Sequence, residues 1–205
     1  MQSRENFFSR RGVAANLDIS NKCSLQCSLC QRQTSYLDEG KTVPGHDMPL
    51  SEFKIISDHF KEIAFCGQYS DPIHHPQFID FLKICCEKDI ETYVHVASTA
   101  RSKSWFIEAF NANPKAFWIF GIDGLPNQSH VYRINQDGEK LFDIMLESRN
   151  HLEKKPCWQY IIFKYNENHI HEAKKMAKDN EIYFMLTNTV RADEENELYS
   201  DLRGS

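Results

Sequence analysis

Several features that the sequence lacks narrow the classes of protein to which it can belong. No run of about 18 or more apolar residues occurs, which argues against a membrane-spanning helix. The formal net charge is -5, so the chain lacks the positive excess that draws proteins onto nucleic-acid phosphates. The first residues contain no long apolar core and therefore predict no secretory signal. We expect a soluble, cytoplasmic chain with no membrane partner and no strong nucleic-acid signal, although an acidic total leaves room for a local basic groove.

The sequence also lacks a Pro- or Gly-rich linker, a low-complexity tract and an internal repeat. Apolar residues make up 41% and charged residues 26%, which is the balance of an ordinary globular domain with one core. No composition shift marks a boundary within the 205 residues. The sequence therefore predicts one domain over 1–205, with a short N-terminal extension at 1–12 and a short C-terminal tail at 189–205.

Short strand-like runs alternate with amphipathic helical patterns along the chain. The predicted strands, rich in β-branched and aromatic residues, lie at 13–19, 62–66, 91–98, 116–122, 159–164 and 182–186. The predicted helices start at Pro49 and Pro76 and lie near 103–112, 138–152 and 168–179. This alternation predicts an α/β fold with parallel strands and right-handed crossovers. Six strands favour a partial (β/α)6 TIM-like barrel, with an open doubly wound sheet as the alternative.

The seven cysteines are an odd number, which favours a reducing compartment over a disulfide framework. Three of them, Cys23, Cys27 and Cys30, form a Cys-x3-Cys-x2-Cys loop directly after the first predicted strand. Thiolates are the preferred ligands of iron–sulfur clusters, and three of them leave one iron of a 4Fe-4S cluster open. Zinc, with His46 as the fourth ligand, is the alternative. The remaining cysteines are expected to be buried small hydrophobes, with Cys66 the one nearest the predicted site.

This loop resembles the signature of the radical S-adenosylmethionine superfamily, and the similarity runs from about residue 13 to 188. The resemblance implies that S-adenosylmethionine chelates the open iron and that an external flavodoxin- or ferredoxin-like donor supplies an electron. The cofactor is then cleaved to a 5′-deoxyadenosyl radical, which abstracts hydrogen from a substrate. The motif pattern is similar to the SPASM-type peptide-modifying branch. No cysteine follows Cys157, so we expect the auxiliary-cluster domain of that branch to be absent.

The resemblance also implies a set of residues that bind S-adenosylmethionine. The segment from Gly67 to Asp71 looks like a variant of the family's Gly-Gly-Glu-Pro motif, which binds the amino group, although an insertion separates its glycine from the acid and Asp replaces Glu. An ordinary turn explains the same residues. Helix capping likewise explains an Asn at position 166. An Arg at position 133 could equally be a solvent-exposed surface charge. The predicted cofactor-binding set is Gly67, Gln68, Asp71, Ser98, Thr99, Asp123, Arg133 and Asn166.

The resemblance implies an oxygen-sensitive radical enzyme, and no catalytic residue is assigned beyond the cluster ligands. A peptide or protein substrate is favoured over a nucleotide or a small metabolite. A non-catalytic iron–sulfur or zinc protein that uses the loop for electron transfer or binding is the alternative from another class. A third hypothesis is a relative that binds S-adenosylmethionine but needs a partner to complete the barrel. His74 and His75 are expected to flank a helix start rather than to serve the site.

Overall fold

The computed structural model describes residues 14–189, 191, 195–200 and 202 of the chain. Within them lies one six-stranded sheet in which every neighbouring pair of strands is parallel and the strand order follows the sequence. Helices alternate with the strands, so the predicted partial barrel of parallel strands is confirmed. The strands are β1 (Ala14–Leu17), β2 (Glu62–Phe65), β3 (Glu91–Val96), β4 (Phe117–Gly121), β5 (Cys157–Ile161) and β6 (Tyr183–Thr187).

Five α-helices connect these strands across one face of the sheet. They are α1 (Leu50–Ser57), α2 (Phe78–Glu87), α3 (Lys103–Ala112), α4 (Gly138–Ser148) and α5 (Ile170–Asp179). Shorter helical segments precede some of them, at Gln33–Leu37, Pro72–His74, Pro126–Val131 and Glu167–His169. None of the helices in the part of the chain that the structure describes is long and apolar enough to cross a membrane.

The element boundaries differ from the predicted ones where tertiary pairing decides them. Strand β5 begins at Cys157 rather than at residue 159, because Cys157 already pairs with Ile119 and Tyr183. Helix α4 ends at Ser148 rather than at residue 152, and the chain turns there. The predicted N-terminal extension and part of the predicted tail lie outside the described residues.

The main hydrophobic core lies between the sheet and the helices and is dominated by aromatic side chains. Phe53 of α1 stacks on Phe81 of α2 with ring centroids 4.2 Å apart, and Trp118 of β4 meets Phe110 of α3 edge to face at 4.8 Å. These four side chains are fully buried. Burial of such large apolar surfaces is the dominant favourable contribution to folding, and none of the three clustered cysteines belongs to this core.

The opposite face of the sheet lines the inside of the partial barrel. Among the described residues its two edge strands, β1 and β6, do not pair with each other, and they leave that side of the barrel open. Both edges are partly exposed, whereas β4 at the centre is buried along its whole length. The carboxyl ends of parallel strands lie at the same rim of the barrel, so the loops that follow the strands surround its mouth.

Candidate functional site

A cavity of about 660 Å³ occupies the inside of the barrel and opens at the carboxyl ends of the strands. Side chains of all six strands line it, together with the loops that follow β1, β2 and β6. A concave site of this size at this end of a parallel barrel is the usual place for a ligand. The predicted site residues that line it are Gly67, Gln68, Asp71, Arg133 and the cysteines Cys23, Cys27 and Cys30.

The loop that carries the three cysteines is fixed at several points. The Cys30 N–H donates to the Cys27 carbonyl over 2.9 Å, which closes a turn between two of the thiols. The Gln26 N–H donates to the carbonyl of Ile134, 3.1 Å away. Leu25 and Cys27 are buried against Tyr132 and Phe163 in a small apolar cluster separate from the main core. The loop therefore holds its thiols in a defined arrangement at the cavity.

All three thiols are free, and they lie close enough to influence one another. Burial raises the pKa of Cys23 to about 12, and the nearby Cys27 adds to the shift. Burial likewise raises the pKa of Cys27 to about 11, against an opposing effect of Arg133 and with a contribution from Cys30. Cys23 and Cys27 are therefore protonated at neutral pH until a metal displaces their protons.

The donor set of three thiols is of the kind that binds a 4Fe-4S cluster. Among the residues that the structure describes, no three His, Cys, Asp or Glu side chains converge closely enough to hold one ion. Each cysteine ligand of a cluster binds a different iron, so its sulfurs stand apart instead of meeting at one point. His46, the candidate fourth ligand of a zinc site, is exposed.

The loop that follows β2 forms one wall of the cavity, with Gly67 and Gln68 in its lining. Asp71 ends this loop, and its carboxylate accepts three backbone hydrogen bonds, from Ile73 at 3.2 Å and from Ala97 and Ser98 at 2.8 Å each. The side chain predicted to contact the cofactor thus joins the loops after β2 and β3. Burial raises the pKa of its carboxyl group, and the three N–H donors oppose that shift.

The polar pair after β3 does not reach the cavity lining. Ser98 is fully buried, and its hydroxyl oxygen lies 2.7 Å from the Ser24 hydroxyl and 3.1 Å from His74 Nε2. Thr99 instead accepts the N–H of Asp137 at the start of α4. His74 also accepts the Ser24 N–H, so the histidine that we expected only to flank a helix start holds the cysteine loop. Its partners come from distant segments, and no local pattern shows them.

Asp123 and Arg133 form a buried ion pair beside the cavity. Arg133 Nε lies 2.7 Å from Asp123 Oδ2, and the other carboxylate oxygen accepts the Ile161 N–H over 2.7 Å. The guanidinium lies over Gly121, where an added Cβ would come within 2.6 Å of Nη2. Arg133 lines the cavity, but its charge is already matched by Asp123, which is fully buried. Burial raises the pKa of Asp123, and Arg133 acts in the opposite direction.

Asn166 lies outside the cavity lining and has a structural position. Its side-chain oxygen accepts the Phe163 N–H over 2.8 Å, and its amide donates to the Ile161 carbonyl over 3.0 Å. The side chain is fully buried, so both of its polar atoms are used within the turn after β5. The side chain makes no helix-capping hydrogen bond, because its partners Phe163 and Ile161 precede the helix, and it closes the turn after β5 instead.

Several polar residues at the cavity carry no recognisable signal in the sequence. His95 of β3 points into it, and burial lowers the pKa of this imidazole to about 4, so it is neutral at physiological pH. Gln159 of β5 and Arg191 after β6 also line it. Alternation along a strand gives the inward positions only once the strand boundaries are known, which is why these residues were not found. Arg32 lines the wall next to the cysteine loop.

No protein-family model matches the chain, and no curated protein is found as a relative. Solved structures do share its fold. Streptococcus suis SuiB bound to S-adenosylmethionine superposes with a TM-score of 0.71 at 14% identity, over 91% of this chain and 43% of SuiB. SuiB bound to precursor peptide SuiA gives 0.70 at 13% identity, over 91% of this chain and 42% of SuiB. Methylornithine synthase (PylB) gives 0.62 at 13% identity, over 95% of this chain and 58% of PylB.

The chain therefore has the fold of these proteins while spanning less than half the length of SuiB. At identities of 13 to 14% the likeness concerns the fold, and residue roles are not transferred by it.

Proposed function

We propose that this chain is a radical S-adenosylmethionine enzyme, with Cys23, Cys27 and Cys30 as the ligands of a 4Fe-4S cluster. The observation that carries this proposal is that all three thiols line one cavity inside a partial parallel barrel, beside the loops at the carboxyl ends of its strands. The structures that share the fold support the resemblance to the superfamily, since they include an S-adenosylmethionine complex.

The residues around the cavity suit the binding of such a cofactor. When bound, the cluster and S-adenosylmethionine supply a reductive carbon–sulfur cleavage and a carbon radical that takes hydrogen from a substrate. The chain contributes the thiols, the polar wall of Gly67 and Gln68, and a barrel interior in which the cofactor would lie. An external flavodoxin- or ferredoxin-like donor would provide the electron.

Anaerobic reconstitution with iron and sulfide, followed by dithionite and S-adenosylmethionine, tests this function. We expect the wild-type chain to form 5′-deoxyadenosine and Cys30→Ala to form none, because a loop ligand is lost. Cys66→Ala is the matched control, because Cys66 is also a free thiol that lines the same cavity but lies outside the cysteine loop.

We expect Cys66→Ala to keep the iron content and the cluster spectrum of the wild-type protein. Two results would contradict the proposal. One is a wild-type chain with an intact cluster that yields no 5′-deoxyadenosine, and the other is a cluster that requires Cys66 as its fourth ligand. The second result would favour the alternative of a non-catalytic iron–sulfur protein.

A peptide or protein is the substrate class that we favour. SuiB, which shares the fold, has been solved with a precursor peptide, and the barrel here is open between β1 and β6. The inward residues His95 and Gln159 are neutral hydrogen-bonding groups of the kind that can pair with peptide amides. A cell extract that raises 5′-deoxyadenosine formation, and loses this effect after protease treatment, would support a peptide. An effect that survives protease would instead identify a small molecule.

A further inference from the structure

The Asp18 carboxylate fixes the loop that follows β2. Asp18 lies just after β1, at the start of the cysteine loop. Its Oδ2 accepts the backbone N–H of Gln68 over 2.9 Å and that of Tyr69 over 2.8 Å. The hydroxyl of Ser70 donates to the other oxygen, Oδ1. One carboxylate therefore sets the orientation of two consecutive peptide units in the wall of the cavity.

The orientation of those peptide units determines where their carbonyl groups point. In a trans peptide the N–H and the preceding C=O point in opposite directions. Since the N–H groups of Gln68 and Tyr69 face Asp18, the carbonyl oxygens of Gly67 and Gln68 point away from it. Both of these residues line the cavity, and Asp18 does not. No hydrogen bond from any residue within the described part of the chain reaches either carbonyl oxygen.

The turn itself is too tight to rearrange freely. A Cβ on Gly67 would come within 2.1 Å of the Ser70 carbonyl oxygen, so only glycine fits there. Arg32 Nη1 donates to the Tyr69 carbonyl over 3.1 Å, and the Asp71 N–H donates to the Lys22 carbonyl over 3.0 Å. These bonds join the loop after β2 to the cysteine loop at both of its ends.

We propose that Asp18 is a positioning residue that presents the carbonyl oxygens of Gly67 and Gln68 to a primary ammonium group in the cavity. An ammonium group has three N–H donors and is satisfied by acceptors such as these. The Asp71 carboxylate does not serve this purpose, because its oxygens accept the N–H groups of Ile73, Ala97 and Ser98. The inference rests on the proposed function, in which the ammonium group is the amino group of S-adenosylmethionine.

Two ligands that differ in the amino-acid part test this role on the cluster-loaded protein. S-Adenosylmethionine carries the ammonium group, whereas 5′-methylthioadenosine has the same adenosine and no ammonium. Anaerobic calorimetry should show that Asp18→Ala weakens S-adenosylmethionine binding about tenfold, the effect of losing roughly one charge-assisted hydrogen bond. Binding of methylthioadenosine should change by less than about twofold, since its contacts do not involve these carbonyl groups.

Asp18→Asn separates position from charge. The Asn oxygen can accept the same two N–H groups and its amide can donate to Ser70, so we expect S-adenosylmethionine affinity within about threefold of wild type. Asp143→Ala is the control for loss of a surface carboxylate, because Asp143 pairs with Lys103 on the helical side of the molecule. Far-UV circular dichroism checks folding, and Asp18→Ser replaces Asp18→Ala if the latter does not fold.

Three results would overturn the positioning role: unchanged S-adenosylmethionine affinity in Asp18→Ala, an equal loss for both ligands, or an Asp18→Asn variant as weak as Asp18→Ala. The equal loss would mean that the substitution loosens the site generally. Failure of the proposed function is a distinct result, in which the cluster-loaded wild-type protein itself binds no S-adenosylmethionine.

Discussion

At the scale of single residues, the pair of Asp123 and Arg133 provides a direct test of the electrostatics beside the cavity. The side chain of Arg133 is 12% exposed and that of Asp123 is not exposed at all. Arg133→Met removes the guanidinium and leaves a buried carboxylate without its counter-ion. We expect apo-protein stability in urea to fall by about 3–5 kcal/mol. The double variant Asp123→Asn with Arg133→Met should lose less, because no buried charge remains, and an equal or larger loss would contradict this account.

His95 gives a pH prediction at the same scale. Its pKa in the folded chain is about 4, below the ordinary value of 6.5, because burial disfavours the charged imidazole. Between these values the unfolded chain binds a proton that the folded chain does not, so His95 makes stability fall as pH decreases from 6.5 to 4. His95→Gln should flatten this part of the stability curve of the apo-protein, measured by urea unfolding. Parallel wild-type and variant curves over that range would refute the assignment.

The sequence was sufficient to locate some site residues but not others. The cysteine spacing placed three thiols on one loop because that information is local. The position of Asp71 depends on N–H groups of Ala97 and Ser98, about 26 residues away along the chain. Asp18 was missed for the same reason, since its partners are the backbone of Gln68 and Tyr69 and have no sequence signature.

At the scale of secondary-structure elements, hydrophobic periodicity was enough to find all six strands of the sheet. It could not fix where β5 begins, because the pairing of Cys157 with two neighbouring strands extends it. The residue at which α4 ends could not be predicted from periodicity either. Amphipathic character continues past Ser148 in the sequence, whereas the backbone from Arg149 on forms a turn closed mainly by hydrogen bonds between residues three apart.

The start of α4 makes a prediction about how elements pack. A Cβ on Gly138 would lie 2.2 Å from the Pro126 carbonyl oxygen, in the short helix that precedes Arg133. Gly138→Ala should therefore push these two segments apart and lower stability by about 1–3 kcal/mol in urea unfolding. Glu139→Ala at the neighbouring exposed position is the control and should change stability by less than about 0.5 kcal/mol. Equal stability of the two variants would show that the segments can separate without cost.

At the scale of the whole molecule, the open sheet predicts a gradient of local stability. Strand β4 is buried along its length and paired on both sides, whereas β1 and β6 are edge strands with partly exposed residues. Edge strands open more easily because fewer hydrogen bonds and apolar contacts hold them. Hydrogen–deuterium exchange followed by mass spectrometry should be slowest over Phe117–Gly121 and fastest over Ala14–Leu17 and Tyr183–Thr187. Uniform protection across the six strands would contradict this gradient.

The separation of the aromatic core from the cysteine loop has a consequence for the life of the protein in air. The side chains that hold the chain together lie on one side of the sheet, and the three thiols lie on the other. If the thiols hold the proposed cluster, its oxidative loss would leave the aromatic core in place, and fresh iron and sulfide would restore the centre on the same polypeptide.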